Sequence, residues 1–400
     1  MTLRRYGAAK VSTTQKFSAS ANNFRAIARQ KVSVNILVAG EIPPPPPPSV
    51  YLWGWGNNYK GKLGLGDTTT RSSPTQIGAL TDWANIYAGA GSASAGLKTN
   101  GTLWTWGNNA FHGRLGHSDT LDRSSPTQVG ALTNWASVGV GNAHMVALKT
   151  DGTLWAWGYN SDYGNLGLGN LTNYSSPKQV GSLTTWSKIS TGYNNNLAIK
   201  TDGTLWGWGH NTNGKLGLGD TNNRSSPVQI GALTTWSSIY AGEDLAAAIK
   251  TDGTLWMWGQ NNSGQLGLGN TTYYSSPKQV GADTNWASAS PEGYITSAIK
   301  TNGTLWTWGA NDSGQLGLGN TTNRSSPTQV GALTTWSSVG TSGYHNTAIK
   351  TDGTLWTWGA NFSGILGLGN ATYFSSPVQI GAKTTWSSIS VGYLYTMALG

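Results

Sequence analysis

The most regular stretches of the chain are short runs that alternate apolar with polar residues and are separated by turn chemistry. In Leu305-Trp306-Thr307-Trp308 the two tryptophans lie two apart, which places both on one face of an extended strand. A short apolar run such as Thr347-Ala348-Ile349-Lys350 precedes each such strand. The two are joined by Asn100-Gly101, Asp151-Gly152, Asp202-Gly203, Asp252-Gly253, Asn302-Gly303 and Asp352-Gly353. That dipeptide between strand-like runs predicts a hairpin, because a type I′ turn needs positive φ at both central positions. Further strands fit residues 327–330 and 336–339. Four short antiparallel strands recur in this order, as one propeller blade requires.

The tetrapeptide Trp-x-Trp-Gly begins at Trp53, Trp104, Trp155, Trp206, Trp256, Trp306 and Trp356, so the step is 51 residues three times and then 50 three times. A period in this range with strand pattern predicts a propeller or solenoid. Each unit carries one more tryptophan (Trp83, Trp135, Trp186, Trp236, Trp286, Trp336, Trp386), which accounts for all 21. The tryptophans read as scaffold, and function is to be sought in what differs between units. Only six hairpin turns exist. Thr396-Met397-Ala398-Leu399-Gly400 aligns with residues 346–350, and Tyr51-Leu52-Trp53 aligns with Thr354-Leu355-Trp356. The break between the two ends therefore falls inside the seventh hairpin. The expectation is an all-β, seven-bladed β-propeller over 50–400, closed by N- and C-terminal strands so that no edge is left open, and preceded by an extended N-terminal arm.

The pattern Gly-x-Leu-Trp-x-Trp-Gly-x-Asn-x-x-Gly-x-Leu-Gly-x-Gly resembles the repeat of the regulator of chromosome condensation family, and the resemblance runs from about residue 51 to 400. It implies a seven-bladed propeller. Kelch repeats share the period but carry a Gly-Gly doublet, which occurs nowhere here. The family's founding eukaryotic member resembles a nucleotide-exchange factor for a small GTPase that also touches chromatin. Other members inhibit β-lactamases or serve as interaction modules. Exchange in the founder depends on irregular acidic and inserted loops. The units here differ by one residue and contain no long insertion, so that activity is not carried over.

Composition narrows the rest. With no cysteine among 400 residues, disulfides and Cys-based zinc sites are excluded. No run approaches the ~20 apolar residues that span a bilayer, so no membrane insertion is expected. Met1-Thr2-Leu3-Arg4-Arg5-Tyr6 has no apolar stretch after it and does not read as a secretory signal. Of the net charge of +9, residues 1–49 hold seven cations (Arg4, Arg5, Lys10, Lys16, Arg25, Arg29, Lys31) against Glu41, leaving the propeller +3.

Those first residues divide into a basic docking arm, 1–42, and a spacer, 43–49, with six consecutive prolines. As polyproline II the prolines span roughly 19 Å. Val32, Val34, Ile36 and Val38 alternate as a strand would. An arm this small cannot bury a core of its own. Its alternatives are a disordered basic tail, a peg whose strand augments a sheet edge on a larger assembly, or a nucleic-acid contact. The peg is favoured, with Arg4, Arg5, Arg25, Arg29 and Lys31 flanking it. The cations are spaced, not clustered, so nucleic acid is the least favoured partner.

Several motifs are discounted. Gly61-x-x-Gly64-x-Gly66 imitates a phosphate loop but recurs as a blade turn. Asn170, Asn270, Asn320 and Asn370 open Asn-x-Ser/Thr triplets that come from the repeat. The five histidines (His112, His117, His144, His210, His345) lie at different phases, so no metal centre is expected. Lys-Thr-Asp/Asn beside each hairpin reads as a solvated turn edge. No catalytic set stands out, so neither an enzyme nor a cofactor is expected.

Three bands vary between units. One follows Trp-x-Trp-Gly. A second precedes Ser-Ser-Pro and alternates Arg71, Arg123, Tyr174, Arg224, Tyr274, Arg324 and Phe374. A third precedes the Ala-Ile-Lys strand and includes Tyr193, Tyr294, Tyr344 and Tyr393. Tyr and Arg suit contact with sugar or protein. The plain, uniform repeat and the basic arm together suggest a bacteriophage virion component, a tail, neck or capsid-surface appendage. In that reading the arm docks on other virion proteins and the propeller binds a host-surface glycan or protein. The alternative is a soluble, cytoplasmic interaction module for a protein partner of the GTPase-regulator or inhibitor type.

Overall fold

The computed structural model describes residues 50–110 and 112–400. In them, 28 strands form seven four-stranded antiparallel sheets. Blade 7 shows the plan: Trp336–Thr341, His345–Lys350, Leu355–Gly359 and Phe374–Gln379, in that spatial order from the channel outward. Blades 2 to 6 repeat it, starting at Trp83, Trp135, Trp186, Trp236 and Trp286.

Blade 1 is assembled from both ends of the chain, Ser388–Gly392 and Tyr395–Leu399 beside Leu52–Gly56 and Arg71–Gln76. Leu52 pairs with Leu399 and Gly56 with Tyr395. Tyr51 and Gly400 exchange two backbone hydrogen bonds of 3.1 Å. The ring is thus closed within one sheet, as the missing seventh hairpin predicted.

The outermost strand departs from expectation at its start. It runs Arg324–Gln329 in blade 6, not 327–330, because Arg324 already pairs with Gly309 across a bulge. Pro327 is tolerated there because this edge strand has a free side on which no ladder bond is needed.

Packing follows from the tryptophan spacing. Trp286 on the inner strand meets Trp306 and Trp308 edge-on, at centroid distances of 6.2 and 5.9 Å, the arrangement that aromatic quadrupoles favour. Trp308 is fully buried, and its indole N–H donates to the Gln265 carbonyl of the preceding blade at 2.8 Å. The same bond joins every neighbouring pair, ending with Trp55 to the Ile365 carbonyl at 3.0 Å. Gly267 lies against this indole at φ +70°, where a Cβ would stand 2.8 Å from Trp308 Nε1. The apparent phosphate loop is therefore a seat for the next blade's tryptophan.

The hairpin lysines correct the sequence reading. Far from being a solvated edge, Lys350 places its ammonium 3.6 Å from the Trp356 ring centre and 4.9 Å from that of Trp336. Lys98, Lys149, Lys200, Lys250 and Lys300 do likewise. An amphipathic stem lets the charge rest on the rings while its tip reaches solvent.

Blade 1 has no lysine at this point, because Gly400 occupies it. There Lys383, standing where five other units have leucine, lies 4.5 Å from Trp53 and 5.0 Å from Trp386. Lys383→Leu, which restores the repeat consensus, is expected to destabilise the fold by about 0.5–2 kcal/mol. Thermal denaturation checks this, and a melting point equal to or above wild type would contradict it.

Candidate functional site: the variable end face

Strand register sets where the three variable bands go. Gly209 pairs with Asn195 on one side and Arg224 on the other, so the end of the Trp-x-Trp-Gly strand, the start of the second strand and the start of the fourth lie together. All three bands therefore gather at one end of the blade, at three radii. The opposite end holds the Asp-Gly hairpins and the Gly-Ala-Leu-Thr-type loops, which hardly change from blade to blade.

Residues of all seven inner strands or the turns after them line the channel at the variable end, enclosing about 210 Å3. The innermost strands are tied by hydroxyls: Ser190 Oγ accepts from Ala241 N at 2.9 Å and Ser290 Oγ from Thr341 N at 3.0 Å.

The middle band is held by one residue per blade. Asn311 is fully buried, accepts from Leu316 N at 2.9 Å and donates to the Asn320 carbonyl at 2.9 Å. With both ends pinned on that amide, the residues between them are free to vary.

At the channel mouth, Tyr344 Oη lies 3.3 Å from Tyr393 Oη, with ring centres 5.6 Å apart. Tyr344 also packs edge-on against Phe362 at 5.2 Å, and Phe362 meets Tyr373 at 6.4 Å. The result is a radial track of four rings running from channel to rim across blades 1 and 7. Phe362 was not singled out by sequence. Its phase in the loop carries an aromatic ring in blade 1 as well, at Tyr59, where blades 5 and 6 have Asn262 and Asp312. Tyr193 lies by Glu243 and Arg114, and burial raises its hydroxyl pKa. Tyr294 is exposed beside Glu292.

Carboxylates stand between the rings. Lys215, itself buried, holds Asp244 at 2.6 Å and the Glu243 carbonyl at 3.0 Å. Burial raises the Glu243 carboxyl, helped by Asp244. Burial together with the charges of Glu243 and Asp244 pushes Glu292 up to about 8. The Tyr344 hydroxyl, with burial, pushes Tyr393 up to about 12.

The rim band spends its arginines within its own loops. Arg71 reaches Asp67 at 2.6 Å, Arg123 reaches Asp119 at 2.8 Å and Arg224 reaches Asp220 at 2.6 Å. Arg324 faces Asn320 in place of an aspartate, and donates to the Asn323 carbonyl at 3.2 Å. Tyr174 and Tyr274 are half-buried against their blade cores, and Lys178 and Lys278 lie 5.5 and 5.4 Å from their ring centres. Phe374 is half-buried at the start of its strand. The arm residues Arg4, Arg5, Arg25, Arg29, Lys31, Val32, Val34, Ile36 and Val38 lie outside the described residues.

The buried titratable groups fix a pH profile. Burial lowers His144 to about 4 and His345 to about 3, from an ordinary 6.5. A depressed histidine stabilises the fold above 6.5, and that contribution is lost as pH falls toward 4. Glu292 runs the other way, because its folded value exceeds the ordinary 4.5. Its contribution is present below 4.5 and is lost as pH rises through 8. Melting temperature is thus expected to fall on both sides, and Glu292→Gln is expected to flatten the alkaline side alone. An unchanged alkaline slope in that variant would contradict the assignment.

Among the described residues no helix is long and apolar enough to cross a membrane, and no group of three or more His, Asp or Glu is placed to hold a metal ion.

The regulator of chromosome condensation (RCC1) repeat matches residues 51–95, 100–148, 151–199, 202–249, 252–291, 302–349 and 352–399. Similar proteins include the E3 ubiquitin-protein ligase HERC2 of Homo sapiens, 35% identical over 165 residues, which are 40% of this chain and 3% of that protein. The ultraviolet-B receptor UVR8 of Arabidopsis thaliana is 33% identical over 170 residues, 41% of this chain and 38% of the receptor. The matches thus span well under two thirds of either relative's length. In structure the chain is similar to Prp20p from Saccharomyces cerevisiae, described with its binding to Gsp1p and histones, at TM-score 0.78 and 19% identity over 88% of this chain and 91% of that one. That likeness carries the seven-bladed fold alone. By its seven repeats and the blade each one builds, the chain belongs to the regulator of chromosome condensation (RCC1) repeat family.

Proposed function

We propose that this chain is a non-catalytic interaction module that holds a protein partner on its variable end face. One observation carries the reading: all three variable bands converge on a single end of the propeller, while the other end repeats almost unchanged. Scaffold positions are constrained by packing alone, whereas a binding face can be individual at each blade. Tyr344 and Tyr393 supply rings of the type favoured at hot spots, Phe362 extends them, and Glu243 offers a carboxylate whose charge acts on Tyr393. Tyrosine brings large area at little conformational cost.

The relatives support this soluble-module reading over the virion appendage, for which they offer no support. The arm of 1–42 remains a proposed tether. Val50, the first described residue, bridges to Asp82 at the hairpin end of the propeller.

The test is a pair of double variants against the partner isolated from the source cells. Tyr344→Ser with Tyr393→Ser is expected to lower affinity more than about tenfold, the effect of 1.4 kcal/mol. Leu183→Ser with Leu233→Ser, both exposed on the hairpin face, is expected to leave affinity intact. The reverse pattern would overturn the proposal.

A further inference from the structure

The repeat is regular enough for its exceptions to be located one by one. From Trp336 to Trp356 is 20 residues, but from Trp83 to Trp104 is 21, and the register puts the extra residue in the turn at 90–92. From Trp306 to Trp336 is 30 residues, but from Trp104 to Trp135 and from Trp155 to Trp186 is 31. Those two extra residues fall in the loops 108–114 and 159–165, each seven residues long where blade 6 has six at 310–315. These are the three longer steps of the period. All three loops border one groove of about 630 Å3, which blades 2 and 3 build with help from their neighbours.

Drift would scatter single-residue insertions over the many loops of seven blades. Convergence of all three on one groove marks it as built.

Its chemistry is mixed in a specific way. Flat rings stand in pairs: His112 stacks on Tyr159 with centres 4.9 Å apart at 28°, and Tyr163 stacks on His210 at 4.0 Å and 29°. Tyr59 adds an exposed ring from blade 1. Asn108, Asn142, Asn194 and Asp162 line the same groove. Asn194 Oδ1 is buried without a hydrogen-bond partner, and a buried acceptor left open is costly unless something fills it. Arg114 is buried with its guanidinium on the Asn142 carbonyl, so it stiffens the wall.

We propose that this groove binds a neutral pyranose-containing oligosaccharide. The stacked rings take the apolar C–H face of a sugar, and the amides with Asp162 take its hydroxyl edge, both as donors and as acceptors. A purely apolar ligand would strand the amides, and an anion would meet Asp162. An extended peptide would want a sheet edge to pair with, and these walls are loops. The proposal rests on the reading of the variable end as the interacting face.

The experiment is calorimetric titration of the full chain with defined hexasaccharides of β-1,4-glucose, α-1,4-glucose, N-acetylglucosamine and mannose. At least one is expected to bind with a Kd of about 10 μM to 1 mM. Tyr159→Ala and Tyr163→Ala are each expected to weaken it about tenfold or more. Tyr159→Phe, which keeps the stacking ring, is expected to retain it, and Tyr344→Ala, at the channel mouth, is expected to leave it unchanged. Melting curves matching wild type show that the alanine variants are folded. As a second handle, replacing 159–165 with the six residues of 310–315 is expected to abolish binding. Absence of heat with all four sugars at about 5 mM, or binding that survives the alanine changes, overturns the proposal, as does a peptide ligand in the groove. Loss of sugar binding alone leaves the protein-partner reading standing, since that is read out at Tyr344 and Tyr393.

Discussion

Trp308→Ala is expected to destabilise the propeller by about 3–5 kcal/mol, the range for deleting a large buried aromatic side chain. The side chain is fully buried, packs edge-on against Trp286 and ties blade 6 to blade 5 through the Gln265 carbonyl. Alanine removes the ring area, leaves a cavity and strands that carbonyl in one step. Trp308→Phe narrows the comparison, because it keeps one aromatic ring in place while losing the N–H and part of the indole's apolar area. Its expected cost is about 1–3 kcal/mol, the range for a buried acceptor left unpaired. Trp306→Ala, at a half-buried position, is expected to cost less than Trp308→Ala. Chemical denaturation at fixed pH orders the three. An alanine variant at Trp308 within about 1 kcal/mol of wild type would show that blades are not locked in this way.

Removal of residues 395–400 is expected to abolish cooperative unfolding altogether. The strand Tyr395–Leu399 pairs with Leu52–Gly56 on one side and Ser388–Gly392 on the other, so its loss opens two strand edges at once. Tyr395 also latches blade 1 to blade 2. Its hydroxyl donates to the Ala93 carbonyl at 2.8 Å, accepts from Gly89 N at 2.9 Å and lies 2.9 Å from Ser94 Oγ. Open edges template association between chains, so the truncated protein is expected to elute as oligomers and to lose its sharp thermal transition. Tyr395→Phe keeps the strand and drops the latch. It is expected to remain monomeric with a lower melting point. A truncated chain that still melts sharply as a monomer would mean that six blades and three strands of another suffice.

How much of this was legible in the sequence follows from the range of each interaction. The hairpins, the tryptophan strands and the closure are set by local pattern and by counting, and they stand where the sequence put them. The hairpin lysines were misread because a charged residue beside a turn looks solvated. Only the fold shows that two tryptophans, 20 residues apart, converge on the same ammonium in blade 7.

The outer strand was placed three residues late because Ser325 and Ser326 carry little strand propensity. Their pairing is imposed by the neighbouring Trp-x-Trp strand. The three variable bands were visible as bands, but their shared end of the propeller depends on register. The track from Tyr393 to Tyr373 depends on which blades touch. Likewise the 51-residue steps were plain in the spacing, while the convergence of their extra residues on one groove is a property of the closed ring.

The central claim, that the variable end is the face that binds, is tested most directly by site-specific photocrosslinking of the full chain in its source cells. A photoreactive side chain is placed at Tyr294 and Tyr393 on the variable end, and at Thr235 and Asp202 on the hairpin end. The account predicts that partner crosslinks form from Tyr294 and Tyr393, and that those from Tyr294 are lost in the Tyr344→Ser, Tyr393→Ser double variant. Crosslinks confined to Thr235 and Asp202 would contradict it.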